Sequence, residues 1–244
     1  MEIQRPDSVG AASRRLAGKW CLVTGSSRGI GRQIAAGLAV EGANVIVHGR
    51  SKEHAKATLA LLEKYDVQKD SVEGDFADPD AAERLARAVL DRCGGIDILF
   101  NNAAIQGERK EIWVTPIDDW KAILQVNLFS MVFLSTAFAR GMKERGYGRI
   151  INLTSGIRDT PQLSPYSVSK SAVNKFTQDL AFELRATGVL VNCLDPGWLR
   201  TDMAGPGAEL EVETVLPGAL VPALLENDGP SGIIFRAQDY RQRS

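Results

Sequence analysis

Short apolar runs and stretches of helical period alternate along the chain from residue 19 onward. The strand-like runs fall at 20–23, 43–47, 71–73, 96–100, 149–154, 189–194 and 232–235. Helical signals fill most of the gaps. Ile34, Ala35 and Leu38 share one face after the first run. Asp78-Pro79 reads as an N-cap with proline at the first helical position, and Gly94 as the stop. Thr115-Pro116-Ile117-Asp118 repeats the device with a capping-box carboxylate and opens a long helix striped by Trp120, Leu124, Leu128 and Val132. Gly141, Gly146 and Gly148 then break the pattern. Ser164-Pro165 caps and starts another helix. Strands alternating with helices predict parallel strand–helix–strand units: one α/β domain, a single doubly wound, mainly parallel sheet with helices on both faces. The domain covers 18–244, and residues 1–17, polar and aperiodic, form an N-terminal extension. No repeat or linker calls for a second domain. Ligands of such sheets bind beyond the carboxyl ends of the strands, so functional groups belong just after the apolar runs.

Composition removes several classes of function. A chain of 244 residues can bury a sizeable core, and a formal net charge of −1 provides no field that would gather nucleic acid or an anionic membrane. Neither is an expected partner. The two histidines and three cysteines form no cluster with metal-ligand spacing, so no metal is expected. Cys21, Cys93 and Cys193 cannot all pair and read as small core residues in a reducing compartment. No stretch approaches 18 apolar residues, and no apolar segment follows the early Arg/Lys, so the expected location is the cytoplasm.

The first apolar run carries the clearest ligand signal. Cys21-Leu22-Val23 leads into Thr24-Gly25-Ser26-Ser27-Arg28-Gly29-Ile30-Gly31 and then a helix. Glycine lets backbone approach a pyrophosphate closely, and the helix start offers free N–H groups and a positive dipole end. Gly25, Ser27, Arg28, Gly29, Ile30 and Gly31 are therefore cofactor candidates; the alternative is a turn that only packs helix on strand. After the second run, Gly49 stands where an acid would hold a ribose 2′-hydroxyl, and Arg50 follows. Arg50, with Arg28, suits a 2′-phosphate, so NADP(H) is favoured over NAD(H). Asp75 and Phe76 either meet an adenine or cap a helix and pack. Asn102 and Ala103 either run beside a ribose or tie neighbouring strands. Pro196, Gly197, Trp198 and Thr201 follow the sixth run: Thr201 suits a carboxamide, and Trp198 covers the pocket or packs.

The catalytic candidates lie further along. Tyr166 and Lys170 are four apart in a helix, so their Cβ atoms lie about 5–6 Å apart on one face. A phenol's ordinary pKa of ~10 is too high for ready proton exchange at neutral pH. A neighbouring ammonium, and an oxidised nicotinamide, favour the phenolate. Tyr166 then donates a proton to a carbonyl oxygen in reduction and takes it back in oxidation. Ser155 ends the fifth run and either hydrogen-bonds the substrate oxygen or caps the strand, with Thr154 as a competing hydroxyl. Asn127, mid-helix, either bonds its own backbone or faces a buried polar site where it holds a water.

Assembled in order, T-G-S-S-R-G-I-G at 24–31, N-N-A-A at 101–104, Asn127, Ser155, Y-S-V-S-K at 166–170 and P-G-W-L-R-T at 196–201 resemble the short-chain dehydrogenase/reductase family over about residues 18–204. The resemblance implies a Rossmann fold whose glycine turn holds the pyrophosphate. It implies a catalytic set of Asn127, Ser155, Tyr166 and Lys170, with Lys170 also on the nicotinamide ribose and Asn127 supporting a water relay. Trp198 replaces the isoleucine usual after Pro-Gly; its backbone, with Thr201, is implied at the carboxamide. The implied reaction interconverts a small-molecule ketone or aldehyde and an alcohol with NADP(H). An NADP-binding regulatory protein without turnover and a non-redox epimerase or dehydratase on the same fold stay open as alternatives. The segment 228–236 resembles carbonyl-reductase-like members, and a homo-oligomer is compatible with the family. Segments 105–114, 156–163 and 198–216 are expected to cover the substrate. Trp113, Ile157, Leu163, Trp198 and Met203 would make the pocket partly apolar, and Gln106, Arg109, Arg158 and Asp159 would set its polarity.

Overall fold

A computed structural model describes residues 14–157, 160–205 and 207–241. All seven expected strands form: β1 (Trp20–Val23), β2 (Asn44–Gly49), β3 (Lys69–Glu73), β4 (Ile98–Asn101), β5 (Gly148–Leu153), β6 (Val189–Asp195) and β7 (Ile234–Arg236). They make one parallel sheet in the order β3-β2-β1-β4-β5-β6-β7. Strand order reverses between β1 and β4, which opens a crevice at their carboxyl ends. Helices cover both faces, which is why the central strands are buried almost throughout rather than alternating. Successive residues still divide between the two layers: Val23, Val45 and Phe100 pack with Ile34 and Leu38 on one face. Leu22, Ile46 and Leu99 pack with Leu85, Leu134 and Phe138 on the other.

The helices are α1 (Gly29–Val40), α2 (Lys52–Leu62), α3 (Ala81–Cys93), α4 (Ile117–Leu124), α5 (Ser130–Arg145) and α6 (Ser164–Glu183). Several starts differ from expectation. Asp78 does accept the Asp80 N–H at 3.0 Å, but the turn it caps is tight and α3 begins only at Ala81. Gly94 ends α3 in the left-handed conformation at φ +69°. Thr115 caps nothing; its hydroxyl donates to the Glu111 carbonyl at 2.8 Å. Ser164 is the first residue of α6, not its cap, and no side chain caps that helix. The long helix is interrupted by a wide π turn at Gln125–Phe129, and Gly141 lies within α5, which ends at Gly146.

Two further expectations need correction. Ile117–Arg145 is long and apolar enough, by length and composition, to cross a membrane. Half of its most apolar window is buried, because Val126, Met131, Leu134, Phe138 and Met142 pack against the sheet and α6. The last residues of the expected extension belong to the domain: Leu16 is buried in the core, and Arg15 pairs with Glu41 at 2.8 Å. Residues 1–13 lie outside the described residues.

Candidate active site

The turn from β1 into α1 is built on glycines that no other residue would replace. Gly25 and Gly29 have φ of +62° and +55°, and a Cβ on Gly31 would stand 2.5 Å from the Gly25 carbonyl oxygen. No side chain caps α1, so its first-turn N–H groups remain open to an anion, as a dinucleotide pyrophosphate requires. Thr24 Oγ1 accepts the N–H groups of Asn102 and Ala103 at 2.9 and 3.0 Å, while Asn102 Nδ2 donates to the carbonyls of Thr24 and Gly25. Asn102 and Ala103 thus tie β4 to the glycine turn at the crevice wall.

His48 completes this wall, and the sequence reading overlooked it. Its Nδ1 accepts the Gly25 N–H at 2.9 Å, so Nε2 carries the proton and donates to the Gly74 carbonyl at 2.9 Å. Burial pushes the imidazole down to about 4, so it is neutral. Phe76, expected over an adenine, is buried and stacked on this ring at 4.6 Å between centroids. Asp75 is exposed and accepts the Ala77 N–H at 3.0 Å, the local capping role. The detectable signal was a lone histidine inside an apolar strand run.

Arg28 projects from the turn and pairs with Asp202 at 2.9 Å. Asp202 lies in the loop after β6, where Thr201 sits over Gly29: its methyl is 3.5 Å from the position a Gly29 Cβ would take. The Pro196–Thr201 segment therefore closes over the glycine turn from the far side of the crevice. Arg50 is exposed and has no hydrogen bond or ion pair among the described residues. Glu73, in register with Gly49, is engaged by the Lys52 N–H at 3.1 Å. Trp198, expected to cover the pocket or to pack, stands 55% exposed, and Trp113, expected to make the pocket partly apolar, 77%. Arg158 and Asp159 lie outside the described residues.

Tyr166 and Lys170 come together on the buried face of α6, beside the end of β5. Lys170 Nζ lies 5.7 Å from the Tyr166 ring centre and donates to the Leu153 carbonyl at 2.8 Å. Burial pushes the Tyr166 phenol above its ordinary pKa, a hydrogen bond with Ser155 pulls it down, and the Asp195 charge pushes it up. The expected lowering by Lys170 is not found: the shift is upward, with burial its largest cause and no contribution from Lys170, and burial also takes Lys170 itself down to about 8. Of the two candidate hydroxyls, Ser155 is near enough to the phenol to pull its pKa down and accepts the Ile157 N–H at 3.3 Å, while Thr154 Oγ1 is buried without a partner. Asn127 bonds neither its own backbone nor an open site. Its amide accepts the Ile105 N–H at 2.8 Å and donates to the Ile105 carbonyl and to Ser169 Oγ at 2.8 and 3.1 Å. A buried acid with an adjacent hydroxyl donor, at the mouth of an anion-ready crevice, can protonate a developing alkoxide.

Comparison with known proteins shows what the chain is similar to. The family model for short chain dehydrogenases matches residues 19–211. A 3-oxoacyl-[acyl-carrier-protein] reductase from Aquifex aeolicus is 38% identical over 192 residues, which is 78% of this chain and 77% of that protein. A gluconate 5-dehydrogenase from Gluconobacter oxydans is 35% identical over 190 residues, 77% of this chain and 74% of that protein. A crystal structure of a gluconate 5-dehydrogenase from Burkholderia cenocepacia, in complex with NADP and tartrate, superposes with a TM-score of 0.81 at 30% identity. That superposition covers 92% of this chain and 95% of the other.

Proposed function

Since this chain belongs to the short-chain dehydrogenase family, an oxidoreductase family, we propose that it reduces a small-molecule ketone or aldehyde reversibly to the alcohol, using NADP(H). The observation that carries the reading is the buried Tyr166 phenol on α6 beside Ser155 at the end of β5, with Lys170 one helical turn on. A nicotinamide cofactor, when bound, supplies the hydride. The substrate carbonyl lies between the two hydroxyls: Ser155 donates a hydrogen bond to its oxygen, and Tyr166 transfers the proton. A phenol held high by burial is fully protonated at neutral pH, which is the state a proton donor needs. Lys170, anchored on Leu153, places a cation beside the phenolate that results. Asn127 is a positioning residue, clamping the Ile105 backbone against Ser169 of α6.

The open N–H groups of α1 would hold the pyrophosphate, and Lys170 and Thr201 the nicotinamide ribose and carboxamide. Arg50, free of partners among the described residues, would hold a 2′-phosphate, with Arg28 beside it once released from Asp202. The unpaired state of Cys21, Cys93 and Cys193 supports a reducing compartment, the cytoplasm.

Replacing the phenol tests the reading directly. Tyr166→Phe is expected to lower turnover across a carbonyl panel by roughly 10²–10⁴-fold while NADPH binding, read by fluorescence, is retained. Turnover near the wild-type level would reject Tyr166 as the proton donor. For the cofactor, Arg50→Ala should weaken NADPH by roughly 10–100-fold, the worth of a charge-assisted hydrogen bond, with NADH little changed. Equal losses for the two cofactors would reject the 2′-phosphate role.

A further inference from the structure

Between the amino-terminal half of α6, the ends of β5, β6 and β7, and the chain after β7 lies a cavity of about 570 Å³. That volume is ordinary for a small-ligand site. Its wall is unusual: Thr154, Ser155, Lys170, Asn174, Asp195 and Arg236 line it, so polar groups dominate where ligand pockets are as a rule mostly apolar. Two lining atoms, Thr154 Oγ1 and Asn174 Oδ1, are buried without a hydrogen-bond partner, and Thr154 is only 4% exposed. Such a buried group is unfavourable unless something bonds to it.

The charges are arranged for a ligand as well. Asp195 is held in place, with Oδ1 on the Gly197 N–H at 3.0 Å and Oδ2 under Gly156, where a Cβ would stand only 2.8 Å away. Gly156 thus makes room for this carboxylate beside the reaction centre. At the other end, Arg236 has no ion pair or hydrogen bond from its side chain among the described residues. Lys170 and Arg236 offset Asp195 and Asp239 in formal charge, so the cavity neither repels nor strongly attracts an anion as a whole. An apolar ligand would leave Thr154 Oγ1 and Asn174 Oδ1 buried with nothing to bond and would offer no donor to Asp195 Oδ2. A chain of hydroxyls both donates and accepts and would meet all three.

We propose that this cavity binds the polyhydroxylated, acid-terminated part of the substrate, with hydroxyls on Thr154, Asn174 and Asp195 and the carboxylate on Arg236. The substrate class is then a keto or aldehyde form of a sugar acid. The inference rests on the reading of Tyr166 and Ser155 as the reaction centre, of which Ser155 lines the cavity.

The test separates binding from turnover. Sodium D-gluconate, and hexanoate as the apolar acid of equal chain length, are titrated calorimetrically into Tyr166→Phe protein in the presence of NADP⁺. Gluconate should bind at least tenfold more tightly than hexanoate. Asn174→Leu and Arg236→Met should each weaken gluconate at least fivefold, with melting curves checking that both variants fold; Arg236 is exposed and its replacement leaves the core intact. Equal affinity for the two acids, no gluconate binding, or insensitivity to both substitutions would overturn the cavity assignment. In parallel, wild-type protein is assayed for NADPH consumption with hydroxylated keto acids and with simple ketones. Turnover of simple ketones alone, with no gluconate bound, refutes the cavity and leaves the reductase standing. Gluconate bound as expected with no carbonyl reduced refutes the reductase and leaves the binding site standing.

Discussion

The His48 imidazole joins two loops that border the nucleotide crevice, accepting from Gly25 and donating to Gly74. A second proton would go to Nδ1 and break the Gly25 bond while leaving the Gly74 bond in place, and burial holds the pKa at about 4 against an ordinary 6.5. Between those two values the unfolded chain binds the extra proton, so stability rises with pH through this window and is level above it. Taking the protein from pH 7 to pH 5 should remove about 2 kcal/mol through this one group, at ~1.4 kcal/mol per unit of separation. His48→Gln keeps an acceptor and a donor but cannot titrate. Urea unfolding at both pH values should therefore show a loss about 2 kcal/mol larger in the wild type than in the variant. Equal losses would mean that His48 stays protonated alike in both states. Legibility at this scale follows distance along the chain. Tyr166 and Lys170 could be read because four residues of helix set their separation, whatever the rest of the fold does. His48 and Asn127 could not, because their partners at Gly25, Gly74 and Ile105 are brought to them only by the folded sheet.

Elements were legible wherever local periodicity and tertiary burial agreed. The five inner strands are buried on both faces and appear as short, mostly apolar runs, while the edge strands β3 and β7 bury only Val72 and Phe235; all seven are found with ends off by one or two residues. The helix from Ile117 shows where the agreement fails. Trp120, Leu124, Leu128 and Val132 recur every four residues, which suggests one unbroken stripe. In a 3.6-residue helix each such step drifts by about 40°, and over three steps the stripe would wind a third of the way round. The π turn at Gln125–Phe129 absorbs that drift, and the deeply buried row is instead Ile123, Val126, Asn127, Ser130, Met131, Leu134 and Ser135. The same turn aims Asn127 at the Ile105 backbone, consistent with the tendency of π turns to sit at functional sites. A strict four-residue repeat was the available clue. Cap chemistry misled for a different reason: Thr115 and Ser164 have the right side chains, but Thr115 finds the nearer Glu111 carbonyl and α6 begins on Ser164 itself.

For the whole molecule, alternation of strands and helices determined parallel pairing but left open which strands are neighbours and how the last third is secured. After residue 211 the chain runs in short 3-10 turns, Val212–Val215 and Gly218–Ala223, too brief to leave a period. Besides the bonds of Asn192, Ser231 and Gln238, it is fastened by a side chain from the centre of the sheet. Arg149, at the amino end of β5 and 1% exposed, donates to the carbonyls of Leu225, Gly148 and Gly188 and to Asn227 Oδ1, all between 2.6 and 3.1 Å. Its guanidinium also lies 4.4 Å over the Tyr147 ring. Burial lowers its pKa from the ordinary arginine value, yet no lysine could take its place, because an ammonium lacks the planar fork that reaches four acceptors at once. Arg149→Met should therefore strand those carbonyls and destabilise the fold by ~3 kcal/mol or more, lowering the thermal midpoint by roughly 10 °C in a chain of this size. Arg149→Lys should recover little of it. Because Arg149 sits at the opposite end of β5 from Ser155, catalysis measured well below the midpoint should be nearly unaffected. A midpoint within ~2 °C of wild type would show that the segment after residue 211 is held by its apolar contacts, Val215, Ala219, Leu220 and Phe235, rather than by this arginine.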